Sequence, residues 1–291
     1  MIPVLRFFLL VACLEPSWLS AAIVVRDDLG HVVKLEERAQ RIVSLAPSIT
    51  ELVFAAGAGS RLVGVADYSD YPGAAKRIRR IGGSGAIDVE TVAALAPDLV
   101  LAWKTGNAPG QIGRILSLGI PVYFVEPARL ADLPGEIETL GRLAGTSMQA
   151  ASAASAFRMR YAALEKRYAG RQPVRVFYEI WNNPLMTVND AQFIGQVLRL
   201  CGAVNVFGSL PSITPVVSVE AVLRAKPQLI IASAENGIRP PWLDDWRRWP
   251  GFDPGLEYVH ADLINREGPR ILDGAETMCG QIDAVRRASG L

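Results

Sequence analysis

The residues able to do chemistry are few and dispersed. Two histidines occur, His31 and His260, and neither has a cysteine or another histidine at the spacing of a metal-ligand set. A multi-histidine zinc or manganese centre is therefore not expected, and free metal is not the expected cargo. Gly82-Gly-Ser-Gly85 lacks the lysine and spacing of a phosphate-cradling loop, and there is no Gly-x-Ser-x-Gly nucleophile elbow. Side chains suited to holding a ligand are easier to find than side chains suited to breaking a bond. Tyr68 and Trp103 each follow a short apolar run, where the carboxyl end of a strand would meet a loop. Open α/β folds place ligands there, and aromatic faces cover apolar ligand surface. Ordinary core packing is the competing reading of both. Thirty basic residues against twenty-nine acidic ones, with no long run of either sign, argue against nucleic acid or an anionic membrane face as partner.

The elements that must position these residues alternate. Ile42 to Leu45, Leu62 to Val65, Leu99 to Ala102 and Val122 to Val125 are short apolar runs separated by helix-length segments, the pattern of a parallel α/β sheet. Ahead of them, Ile23 to Val25 and Val32 to Leu35 flank Asp27, Asp28 and Gly30 and read as a hairpin. A repeat organises the whole: Asp88-Val-Glu-Thr-Val-Ala-Ala-Leu-Ala-Pro-Asp-Leu-Val-Leu-Ala102 recurs as Ser218-Val-Glu-Ala-Val-Leu-Arg-Ala-Lys-Pro-Gln-Leu-Ile-Ile-Ala232, with six of fifteen positions identical at an offset of 130. Each copy opens on a capping residue, runs a short helix, breaks at Pro97 or Pro227 and enters a strand. A weaker echo pairs 42–59 with 174–202. The fold class is therefore α/β, with two Rossmann-like lobes, 23–146 and 171–291, and a ligand cleft between them. Between the lobes, 147–170 reads as one helix, with Phe157, Tyr161, Leu164 and Tyr168 on one face and Gly170 as its stop. A helix is a stiff connector, so hinge motion should be small.

The first residues have the layout of a secretory signal peptide: Arg6, the apolar run Phe7 to Cys13, then Ser20, Ala21 and Ala22, so 1–22 are expected to be removed. The run is too short to span a membrane. Leu10-Val-Ala-Cys13 also reads as a lipobox, which makes a lipoprotein anchored at Cys13 the less favoured alternative. Export leaves Cys201 and Cys279 in an oxidising compartment, where a disulfide is expected; two unrelated buried thiols are the other reading.

Three stretches, Leu45-Ala-Pro-Ser-Ile-Thr-Glu-Leu52, Tyr68-Ser-Asp-Tyr-Pro72 and Leu101-Ala-Trp-Lys-Thr-Gly-Asn-Ala108, resemble the periplasmic cobalamin-binding proteins of ABC importers, in the class whose two lobes are joined by one long helix. The first stretch is common to haem, siderophore and cobalamin binders; the other two are closer to the cobalamin branch. The likeness continues through Gln196-Val-Leu-Arg-Leu-Cys-Gly202 and Gly268-Pro-Arg-Ile-Leu272 and covers nearly the whole mature chain. It implies a monomeric periplasmic protein that carries a corrinoid to a permease dimer without making or breaking a bond. A corrinoid brings its own cobalt, apolar ring faces and a rim of amides, so it needs few protein ligands to metal.

Carried over residue by residue, the resemblance puts Pro47, Tyr68 and Trp103 on one wall of the cleft. Asp262, Leu263, Ile264, Asn265 and Arg266 form the other, with Asp262 and Arg266 meeting ligand amides. The family pattern has aromatic or acidic residues where this chain has Leu263, Ile264 and Asn265, and an aromatic residue at Thr214; Trp181 is the residue that could restore an aromatic surface. Glu90 and Glu220, at equal positions of the repeat, correspond to the pair that docks into permease arginine pockets; the local alternative is that each merely suits a helix N-terminus. The competing functions are a haem or ferric-siderophore carrier, which should show basic residues facing the cleft, and a secreted α/β enzyme, which should show a nucleophile beside a base.

Overall fold

The computed structural model describes residues 22–290. Residues 1–21, and with them Cys13 and nearly all of the expected signal peptide, lie outside that range. The chain enters through the hairpin of β1 (Ile23–Arg26) and β2 (Val32–Leu35). Asp27 Oδ1 accepts the backbone N–H groups of Leu29 and His31 at 3.0 and 2.7 Å, which closes the turn.

The first lobe then runs through β3 (Ile42–Ser44), α1 (Pro47–Ala55), β4 (Leu62–Val65), β5 (Gly82–Gly83), β6 (Ala86–Ile87), α2 (Val89–Ala94), β7 (Leu99–Ala102), α3 (Pro109–Ser117), β8 (Val122–Phe124) and α4 (Leu133–Ala144). The connector α5 (Ser147–Tyr168) follows, and Gly170 takes the left-handed φ of 68° just beyond its end. The second lobe contains β9 (Val174–Glu179), β10 (Trp181–Asn182), β11 (Leu185–Met186), α6 (Phe193–Leu200), β12 (Ala203–Asn205), α7 (Val219–Ala225), β13 (Leu229–Ala234), β14 (Gly255–His260), α8 (Ala261–Ile264) and α9 (Ile271–Ala288).

Each lobe is a four-stranded parallel sheet, ordered β4-β3-β7-β8 and β12-β9-β13-β14. The order is the same in both: second strand, first, third, fourth. Each sheet therefore reverses direction beside its first strand, leaving a crevice at the carboxyl ends of β3 and β7 in one lobe and of β9 and β13 in the other. All four residues of β7 are fully buried, as a strand covered on both faces must be. Ile42, Leu99, Leu101 and Tyr123 cluster with α1 and α4, while Val43, Val100 and Val122 cluster with Val92, Ile112 and Ile115 of α2 and α3. In the second lobe Val176, Tyr178 and Ile231 join α6 and α9, and Phe177, Ile230 and Ala232 join Val222 of α7 with Leu243 and Trp246. The first of these clusters is continuous between lobes through Ala150, Ala154, Phe157, Leu164 and Tyr168 of α5. Opening the lobes by a large angle would expose that shared apolar layer, so the connector is stiff for a packing reason as well as a geometric one.

The repeat extends into backbone detail. Asp88 Oδ1 accepts from Thr91 N at 2.9 Å, and Ser218 Oγ from Ala221 N at 3.2 Å, capping α2 and α7 alike. Ala96 and Lys226, 130 residues apart, both hold a positive φ, 44° and 46°. Arg41 and Arg175 each donate back to the end of the repeated helix, at Leu95 O and Ala225 O.

Cys201 and Cys279 form the expected disulfide, S–S 2.01 Å, tying the end of α6 to α9.

Candidate ligand-binding cleft

The first-lobe rim is built on a buried polar knot. Asn107 Oδ1 accepts the Trp103 N–H at 2.7 Å, and its amide donates to Leu45 O at 3.0 Å and Ser84 O at 2.8 Å. One side chain thereby fixes the ends of β3 and β7 and the β5–β6 turn. The hydroxyls of Ser44, Thr50 and Ser69 form a second chain of 3.0 Å bonds under the loop after β4. On top of it Tyr68 adopts φ 63° and leaves 80% of its surface exposed. A large non-glycine residue in the left-handed region is strained, and the surrounding bonds must over-determine it; strain with an exposed ring points to use. Pro47 opens α1 half-buried beside this loop. Trp103 is also half-buried: its ring packs so closely over Gly106 that a Cβ there would sit 1.9 Å from it.

On the opposite rim, a cavity of about 430 Å³ opens at the carboxyl ends of β9, β13 and β14, lined by Trp181, Ser233, Arg239, Trp242 and Asn265 among others. Trp181 is 51% exposed, on the short β10–β11 hairpin, and its indole N–H donates to Asn183 O at 2.9 Å. Ser233 Oγ donates to Asn265 Oδ1 at 3.1 Å and hydrogen-bonds Tyr178 at 2.7 Å. The Asn265 carbonyl is thereby held, and its side-chain amide nitrogen makes no hydrogen bond among the described residues. Tyr68 and Trp103 are not among the residues lining this cavity. Thr214 is exposed in the Ser212–Val216 loop.

Two placements correct the sequence reading. Ile264 is fully buried in the main core, because the short helix α8 turns it inward, so it forms no cleft wall; Leu263, half-buried, backs onto Gly274 of α9. Arg266 is engaged by carboxylates of the protein itself. Its guanidinium, on a side chain only 13% exposed, bonds Asp70 at 2.8 Å, Asp262 at 2.9 Å and Glu51 at 3.1 Å. Arg270 adds bonds of 2.6 and 2.8 Å to Glu51 and stacks 3.9 Å over the Tyr71 ring. Two arginines of the second lobe thus clamp Glu51 of α1 and Asp70 of the Tyr68 loop in the first. Asp262 is spent in the same network. With both guanidiniums close by, Asp70 is held below the usual carboxylate range despite some burial.

The clamp brings the Tyr68 loop against the α8 segment through protein–protein ion pairs, where the sequence reading expected two walls facing across a cleft. Sequence reasoning missed Glu51, Arg270, Asn107 and Trp242. Glu51 lay inside a quoted stretch, and an acid among apolar helix neighbours was the signal that it needed a partner.

Glu90 and Glu220 sit in the first turns of α2 and α7, both exposed. A helix that leads into a parallel strand runs against it, so both N-termini lie at the same edge as the cleft. Glu90 pairs with Arg114, which holds its carboxyl below the usual range; Glu220 makes no ion pair among the described residues. Farther in, burial and then the Glu126 carboxylate of the first lobe push Glu267 up to about 7.

A larger groove, about 690 Å³, runs along α5 and α6 at the hinge. Two of its arginines are engaged, Arg129 by Asp132 and Arg199 by the Asp190 carbonyl, and Arg171, Glu165 and Tyr161 also line it. Among the described residues no group of three or more His, Cys, Asp and Glu is arranged to hold a metal ion, and no helix is long and apolar enough to cross a membrane. The two histidines have local duties: His31 bonds Asp27 at 3.1 Å and His260 caps α8.

Residues 42–247 match the periplasmic binding protein family. The chain belongs to that family. The vitamin B12-binding protein of Vibrio cholerae serotype O1 is 36% identical over 254 residues, covering 86% of this chain and 91% of that one. The protein of the same name from Yersinia pestis is 35% identical over 253 residues, 86% and 88% of the two chains. Among solved structures, the periplasmic vitamin B12 binding protein of Vibrio cholerae superposes with a TM-score of 0.77 at 34% identity, over 85% of this chain and 98% of that one. A periplasmic haem-binding protein crystallised with two haems gives a TM-score of 0.75 at 21% identity, over 86% and 100%, a likeness of fold.

Proposed function

We propose that this protein is an exported substrate-binding protein that captures a corrinoid such as cobalamin in the periplasm and delivers it to the permease of an ABC importer. The observation that carries the ligand class is that the arginines at the cleft are paired within the protein, although Lys104, exposed beside Trp103, makes no ion pair among the described residues. Arg266 and Arg270 are neutralised by Glu51, Asp70 and Asp262, and Arg239 by Asp244 at 2.6 Å. A haem or ferric siderophore brings carboxylates or catecholates that call for free cations. A corrin rim of neutral amides does not, and suits Tyr68, Trp103, Trp181 and the amide of Asn265. Identity of 36% to a vitamin B12-binding protein over most of both chains supports the same ligand class.

In this reading residues 1–22 are the signal peptide, with lipidation at Cys13 the less favoured route. The lobes divide at 147–170, and the protein works as a monomer. Glu90 and Glu220 meet arginines of the permease dimer, one from each lobe; replacing both with alanine should abolish uptake and leave ligand binding intact.

The test of ligand class is to mix the mature protein with cyanocobalamin or with haemin and desalt. Cyanocobalamin should co-elute in about equimolar amount and haemin should not. Retention of haemin alone would overturn the proposal.

A further inference from the structure

A second cavity, about 210 Å³, lies beside the cleft in the second lobe and shares Asn182 and Trp242 with it. We propose that this cavity is a binding site for a small alkylammonium cation, distinct from the corrinoid. Three indoles, Trp242, Trp246 and Trp249, line it together with the Glu179 carboxylate. Indole faces attract cations through their quadrupole, more strongly when water is excluded.

Glu179 supplies the countercharge. It ends β9 only 2% exposed, and Oε2 accepts the Trp246 indole N–H at 2.7 Å. Its other oxygen has no hydrogen-bond partner among the described residues. That oxygen is not among the fully buried unpartnered atoms and Glu179 lines the cavity, so the oxygen is open to the space where a cation would sit. Asp245 and Arg248 are the other ionisable groups lining the cavity, and they pair with each other at 2.9 Å. That leaves the charge on Glu179 uncompensated. Burial, with a smaller push from Asp245 and against the pull of the Trp246 bond, raises the empty carboxyl to about 7. A bound cation would keep it ionised, so affinity should rise as pH increases through neutrality. The volume accommodates a trimethylammonium head on a short chain and is far too small for a corrin ring.

Isothermal titration of the mature protein with choline, and with its neutral isostere carrying a tert-butyl group in place of trimethylammonium, tests the site. Choline should bind saturably and at least about tenfold more tightly than the isostere, and more tightly near pH 8 than near pH 6. Glu179→Gln should weaken choline by a similar factor and leave the isostere unchanged; Trp249→Ala should weaken both. Equal binding of the two compounds by the wild-type protein, or no saturable choline signal, would overturn the proposal whether or not the variants fold, and neither result bears on cobalamin retention.

Discussion

The two lobes are near copies at one edge and differ at the other, apart from the capped helix starts that carry Glu90 and Glu220. Where strands begin, Arg41 and Arg175 donate to the ends of equivalent helices, Ala96 and Lys226 share a left-handed φ, and the side chains of Asp98 and Gln228 accept the backbone N–H groups of Arg41 and Arg175. Where strands end, one lobe presents Tyr68 and Trp103 on a polar knot around Asn107, and the other presents Trp181, Trp242 and Asn265 around a cavity. The amino edge has only to hold a strand and a helix together, a task identical in both halves. A corrinoid is asymmetric, so carboxyl edges that meet different parts of it, as proposed, have no need to match.

The sharpest way to break the comparison is at the clamp joining the two carboxyl edges. Glu51→Ala leaves Arg266 and Arg270 without their shared buried partner and should cost roughly 3–5 kcal/mol in urea unfolding. A loss below about 1 kcal/mol would show the clamp to be incidental. A comparable effect concerns the scaffold under the first lobe, away from both edges. Burial and then the Asp28 carboxylate push Glu136 up to about 8 from an ordinary value of 4.5. Between those pH values the unfolded chain has given up the proton that the folded one keeps, so stability should fall as pH rises from about 4.5 to 8 and level off above. The loss is on the order of 5 kcal/mol, and Glu136→Gln should flatten the slope.

At the amino edge, Arg41→Ala and Arg175→Ala should each cost about 1 kcal/mol, equally in both lobes, with cobalamin affinity unchanged; unequal costs would mean that the copied geometry hides different energetics. Tyr68→Gly should act in the opposite sense on the two readouts. Relief of the left-handed φ raises stability by up to about 1 kcal/mol, while loss of the ring weakens cobalamin in titration by about tenfold or more.

Much of the scaffold was legible in the chain. The repeat announced two lobes because helix caps, proline breaks and strand starts are local features that survive divergence, and the connector showed its apolar stripe. The disulfide followed from compartment and count. The cleft was legible only in part. Tyr68 and Trp103 stand after strands, but exposure of the first and half-burial of the second depend on packing that spacing does not encode. The ion pairs of Arg266 were not legible because its partners Glu51 and Asp70 lie far away in sequence and meet it only when the lobes come together. Ile264 was misplaced because one four-residue helix sets which of its side chains turns inward.

One bound corrinoid should touch both carboxyl edges at once. Hydrogen exchange with and without cyanocobalamin tests it most directly. The account predicts slowed exchange in 66–71 and 103–108 of the first lobe together with 180–182 and 261–266 of the second, with 161–171 along the hinge groove unchanged. Protection confined to one lobe, or to the hinge groove, would contradict it.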